Sequence, residues 1–188
     1  RDDKATTDMR YTILLIIATI PVGVLGLLLK DVIGDHVSVL FVGLMLLLTG
    51  VALWIIKNQR GKKRDGQLKL KDAIIVGLAQ CIALVPGISR SGATLVGAIG
   101  VGLNQKDALR FVFLLYIPVS LGTALISIGD IFSDPNMSTY GLGYLASFIV
   151  CIFATYFGVK LLQGIMQSGN LVIFSYYCFA LGTFSSLY

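Results

Sequence analysis

Five apolar runs, roughly 12–29, 37–56, 109–129, 141–163 and 171–188, leave this chain few shapes to adopt. Each approaches the ~20 residues a helix needs to cross the hydrocarbon core of a bilayer. Lipid offers a backbone no hydrogen-bonding partners, so such runs must satisfy their own amides as helices. An all-α integral membrane protein with about five transmembrane helices is therefore predicted. Composition agrees: 56% of the residues are hydrophobic and 13% charged, with a mean hydropathy of +0.85. A soluble domain carries about 25% charged residues. All ten acidic residues are aspartates, and each lies outside or at the end of an apolar run.

Pro21 and Pro118 fall inside two of the runs, which membrane helices tolerate. The segment 57–72, KNQRGKKRDGQLKLKD, holds seven Lys or Arg, whereas 130–140, DIFSDPNMSTY, holds none. The positive-inside rule places 57–72 in the cytoplasm and 130–140 outside. Without interleaved aromatic residues the basic run does not suggest nucleic acid. No signal peptide precedes the first run, and the chain opens on Arg1, which suggests a fragment.

Between the basic segment and residue 104 lie about thirty mostly apolar residues, broken by Pro86-Gly87 and Ser91-Gly92. Neither half can span a membrane alone. The pattern predicts a re-entrant helical hairpin over 73–103, entering and leaving on one side. The polar stretch 104–110 then also faces the cytoplasm, and 164–170 follows on the same side.

The hairpin tip, PGISRSGATL (86–95), puts Arg90 at membrane depth. Insertion scales charge at least ~2.5–3.5 kcal/mol for an arginine there. No carboxylate of this sequence lies at that depth, so an anionic ligand is the natural partner. Ser89, Ser91 and Thr94 offer hydroxyl donors. Gly87 and Gly92 let backbone amides approach a ligand, and a helix starting near Ser91 points its positive end at the same spot. The guanidinium fork suits phosphate oxygens. A structural alternative has Arg90 bonded to backbone carbonyls of the broken helices. Small residues at Ala93/Gly97 and Ala98/Gly102 suit helix packing.

Other features carry less. GLGYLA (141–146) matches a dinucleotide fingerprint in spacing but follows no strand. Cys81, Cys151 and Cys178 form no metal spacing and are expected to be packing residues. His36, the single histidine, is expected in a solvated connection.

The stretch GLAQCIALVPGISRSGATL (77–95) resembles the second signature of undecaprenyl-diphosphate phosphatases, the bacitracin-resistance membrane phosphatases. ATIPVGVLGLLL (18–29) and FVFLLYIPVSLGTALI (111–126) are similar to that family's spans. The resemblance implies hydrolysis of undecaprenyl diphosphate to the monophosphate and phosphate, recycling a wall-polymer carrier in the bacterial plasma (inner) membrane. It also implies two inverted repeats: 1–56 as the last two helices of the first, 57–72 as a basic loop, and 73–188 as the second. Arg90, Ser89 and Ser91 become catalytic candidates, and Gln80, Gly87, Gly92 and Thr94 substrate-binding ones. The family's first signature, with two glutamates, a serine and a histidine, would lie upstream of residue 1. Its counterparts here, Gln80, Leu84 and Ala93, can neither act as acid or base nor ligate a metal as carboxylates. No metal ligand is assigned within the chain. A divalent cation, Mg or Ca, would sit on the upstream glutamates, and residues 1–188 alone would bind phosphate without hydrolysing it. The implied partners are the lipid diphosphate and membrane lipids, with room for a homodimer. A carrier or channel built on broken helices is the rival reading, and a structural membrane subunit a third.

Overall fold

The computed structural model describes residues 2–29, 38–59, 61–132, 137–167 and 172–187. Seven α-helices account for most of them: α1 (Asp2–Leu28), α2 (Val39–Ile56), α3 (Leu70–Ile82), α4 (Arg90–Gly100), α5 (Gln105–Phe132), α6 (Met137–Gln167) and α7 (Val172–Leu187). Four contain stretches long and apolar enough to cross a membrane: Met9–Leu28, Val39–Ile56, Gln105–Gly129 and Tyr140–Leu161. The fold is that of an all-helical, multi-pass membrane protein. The fifth expected span is the shorter α7, 16 residues long among those described. Pro21 and Pro118 sit inside α1 and α5.

Helices run further than hydropathy alone predicts. The polar stretch 104–110 is not a loop but the start of α5. Asn104 accepts the Asp107 N–H at 2.9 Å, while Asp107 takes the Asn104 amide at 2.8 Å, so the pair closes the helix N-terminus. Most of 130–140 is helical too, because α5 continues to Phe132 and α6 begins at Met137. Residues 133–136 lie outside the described residues, as do His36 and 168–170 of the expected 164–170 connection.

α3 and α4 form the hairpin; α3 starts three residues before the predicted 73, and α4 starts at Arg90, beside the Ser91 expected. At 1.5 Å per residue they are about 20 and 16 Å long, too short to span ~30 Å of hydrocarbon. Lys63 ties their outer ends together. Its N–H donates to Gly102 O at 2.9 Å, its carbonyl accepts from Asn104 N at 3.0 Å, and its ammonium reaches both Asp72 oxygens at 3.0 and 3.1 Å. The basic segment and 104–110 therefore meet on one face, as the topology requires. Arg110 pairs with Asp65 at 3.1 Å, and Arg10 on α1 donates to Leu68 O at 3.0 Å.

The core lies where α1, α3, α4 and α5 meet, around the fully buried Ala18, Val76, Ala98, Phe111 and Leu115. Glycines let the backbones close in. A Cβ on Gly77 would stand 2.5 Å from Ala18 O, and one on Gly97 would stand 2.7 Å from the Ala79 Cβ. α2 packs along α7, with Gly43 and Gly182 facing across the crossing. α6 touches only α5 among these helices and is exposed over most of its length. Cys178 is buried and Cys81 partly so, but Cys151 is exposed on α6, so it does not pack the core as expected.

Candidate active site

Residues 83–89 turn the chain from α3 into α4. Gly87 adopts φ +93°, a left-handed conformation that favours glycine, and any Cβ there would lie 2.6 Å from the Val42 carbonyl of α2. Gly92 is similarly pressed: a Cβ there would lie 2.9 Å from the Thr49 methyl. These two glycines seat the tip against α2, where neither position has room for a side chain. Thr49 completes the seat, since its hydroxyl accepts the Ser89 N–H at 3.3 Å while donating to Met45 O at 3.0 Å.

Ser89 is the N-cap of α4, its Oγ accepting the Gly92 N–H at 3.2 Å. The N–H groups of Arg90 and Ser91 have no partner among the described residues, so the helix's positive end is open. Ser91 Oγ lies 3.3 Å from Ser89 Oγ. Thr94 differs from expectation: its one hydroxyl proton goes back to Arg90 O (2.8 Å) or Ser91 O (3.1 Å). In this conformation it can accept a hydrogen bond but not donate one to a phosphate.

Arg90, Ser91, Thr94 and Gln80 converge on one chamber of about 520 Å³. The structural alternative for Arg90 is not what the fold adopts. Among the described residues its guanidinium makes no hydrogen bond and no ion pair, to carbonyl or carboxylate. Gln80 is 2% exposed, and its Oε1 is buried without a partner. A buried polar atom left unpaired costs ~1–3 kcal/mol, which argues for a ligand or water that supplies the missing bond.

Tyr116 on α5 and Thr155 on α6 line the same chamber, and sequence reasoning missed both. It missed Thr49 as well, although a lone hydroxyl in the run MLLLTGVALW was a signal. Leu84 and Ala93 are apolar, so neither adds a catalytic group. Among the described residues no three His, Cys, Asp or Glu side chains gather to hold a metal ion. Asp72, on the same hairpin, is occupied by Lys63 at the opposite end. The chamber can hold an anion by charge and hydrogen bonding, but it presents no carboxylate to activate water.

The family described as bacitracin resistance protein BacA matches residues 1–184. Undecaprenyl-diphosphatase 2 of Bacillus thuringiensis strain Al Hakam is 52% identical over 189 aligned positions, covering 100% of this chain and 70% of the relative. Undecaprenyl-diphosphatase of Oceanobacillus iheyensis is 47% identical, covering 97% of this chain and 67% of its own length. Undecaprenyl-diphosphatase 1 of Halalkalibacterium halodurans is 44% identical, with the same coverage.

Proposed function

The chain belongs to the bacitracin resistance protein BacA family, and from its relatives we infer that it serves hydrolysis of undecaprenyl diphosphate to undecaprenyl phosphate and phosphate. The lipid diphosphate is its substrate, and the carrier reading gains no support from relatives named for a hydrolase. The observation that carries the site assignment is the unpaired Arg90 beside the unpaired Gln80 in one chamber.

In this site Arg90 clamps the diphosphate oxygens with its fork and offsets the charge that grows on them as the P–O bond breaks. The open N–H groups of Arg90 and Ser91 add donors from the helix end. Ser91 Oγ orients a phosphoryl oxygen, with Ser89 holding the helix cap. Gln80 supplies a hydrogen bond from the facing helix α3. Gly87, Gly92 and Thr49 fix the height of the tip against α2.

A divalent cation, Mg or Ca, belongs to the proposal as a Lewis acid for the phosphates. The donors described here, one amide oxygen and a few hydroxyls with no carboxylate among them, do not build a site for it. Its carboxylate ligands are proposed to lie in the part of the relatives that this chain does not match. No step is assigned through the cation.

The bacterial plasma membrane is the proposed location, with 57–72 and 104–110 in the cytoplasm. The two-repeat organisation is likewise proposed, supported by the packing of α7 along α2. Partners beyond the substrate are surrounding lipids and, along the exposed α6, a second copy of the chain.

Phosphate release from undecaprenyl diphosphate in detergent, with no ion gradient, tests the reaction. Residues 1–188 are assayed alone and joined to the unmatched part of the Bacillus thuringiensis relative. Turnover is expected from the joined protein only. Turnover by 1–188 alone would mean that no further carboxylates are needed, and none by either would remove the phosphatase reading.

A further inference from the structure

α4 borders three cavities, and two of them share lining residues. Arg90 and Thr94, four residues apart and so on one helix face, line the 520 Å³ chamber. Gly92 and Leu95 line a second cavity of about 270 Å³, walled otherwise by α2, α5 and α7. Ser91, Val112 and Phe113 line both, so the two chambers meet at the N-terminus of α4.

Their chemistry differs. The larger chamber presents Gln80, Thr94, Tyr116 and Thr155 along with Arg90. The smaller is walled by leucine, valine and phenylalanine, with Tyr177 and Cys178 from α7, and its aliphatic hydroxyls are the two tip serines. A hydrocarbon chain laid across the larger chamber would cover polar groups and leave Gln80 unsatisfied, at a cost in desolvation. The same chain in the smaller chamber covers almost nothing polar. An apolar cavity of ~150 Å³ holds a six-carbon ring. By that measure 270 Å³ takes roughly ten carbons, or two five-carbon isoprene units.

We infer that the smaller chamber seats the isoprene units next to the diphosphate, with the tail passing Ser91 and Phe113 while Arg90 keeps the headgroup on the other side of α4. The inference rests on the diphosphatase reading and adds to it a route for the tail, toward α2 and α7 and away from α6. The remaining isoprene units leave this chamber for the lipid. Phe113, touching both chambers, is then the residue that separates the polar from the apolar part of the substrate.

Photolabelling of detergent-purified 1–188 tests this without turnover. The probe is geranyl diphosphate carrying a diazirine at its far end, irradiated with and without excess inorganic pyrophosphate. The expected label falls on α2 and α7, around Leu46, Phe174 and Tyr177, and pyrophosphate suppresses it. Pyrophosphate-sensitive label around Thr155 and Val159 instead would overturn the tail route while leaving the diphosphate site standing. Label insensitive to pyrophosphate would show that the tip is no diphosphate site, and both readings would fall. Leu46→Trp fills the chamber and should cut the α7 label by about tenfold or more, the effect of a methylene-scale misfit in an apolar pocket. Pyrophosphate binding should be unchanged. Leu109→Trp fills it from α5 should the first variant not fold. Undiminished α7 label in a folded tryptophan variant would also overturn the route.

Discussion

The two ends of the hairpin are built from the same kinds of residue and treated in opposite ways. At its base, Lys63 meets Asp72, Arg110 meets Asp65, and Asn104 and Asp107 bond each other. At its tip, Arg90 and Gln80 have no partner among the described residues. At the base the Lys63 and Arg110 side chains are partly exposed, where unpaired charges cost little, yet they are paired. At the tip Gln80 is buried, where an unpaired polar atom costs most, yet its oxygen is bare. A fold selected for stability alone would reverse this, so the tip's deficit points to a ligand.

Arg90 offers the largest break in that contrast. Arg90→Lys keeps the charge but loses the two-point contact. In the joined, active protein it should lower turnover roughly a hundredfold or more, about 3–4 kcal/mol, as for one lost oxyanion donor. The melting temperature should hold, since no contact among the described residues is lost. Near-normal turnover in a well-folded variant would remove the phosphate clamp.

Asp72→Ala should do the reverse, lowering stability while sparing ligand affinity. Asp72 is almost fully buried, but the Lys63 side chain is 34% exposed and stays solvated when left alone. The expected loss is therefore ~1–3 kcal/mol, below that of a sealed ion pair. Thermal unfolding in detergent reads it. Burial by itself would raise the Asp72 pKa. Hydrogen bonds from the Lys69 N–H and the Lys63 ammonium, with the charges of Lys63 and Lys71, outweigh it and hold the carboxyl below its ordinary value. A lowered folded pKa contributes stability above about pH 4, the unfolded value, and the contribution fades as pH falls through the folded one. The wild type should thus lose part of its advantage over Asp72→Ala on acidification below pH 4. A gap that stays constant there would assign the effect to packing.

Gln80→Leu sharpens the comparison from the tip side. Removing an unsatisfied acceptor should leave stability unchanged or raise it by up to ~1 kcal/mol, while diphosphate affinity falls about tenfold. A drop in melting temperature with unchanged affinity would make Gln80 a structural residue. The smallest effect is expected at Asp65→Asn, which breaks a half-exposed surface pair with Arg110 and should cost below ~1 kcal/mol.

Hydropathy located the membrane-length helices, because a bilayer-length apolar run has few alternatives. It misplaced their ends, since end points depend on caps such as Asn104–Asp107 and Ser89, where polar residues continue a helix that hydropathy stops. The tip was legible as PGISRSG because its chemistry is local in sequence. Thr49, Tyr116 and Thr155 were not, because they reach the site from helices 40 or more residues away from it or from apolar runs without a distinct polar face. Gly87 and Gly92 were recognised as special, but their close packing against α2 was not, because only three-dimensional packing reveals it.

Lys63 also imposes an order on biogenesis. A ribosome makes it before any of its hairpin partners, and the last of these is Asn104. The staple therefore cannot close until the whole hairpin, Arg90 included, has been synthesised. Until then α3 and α4 lack the tie that Lys63 makes to Asp72, Gly102 and Asn104, so their outer ends are joined only once both helices are complete.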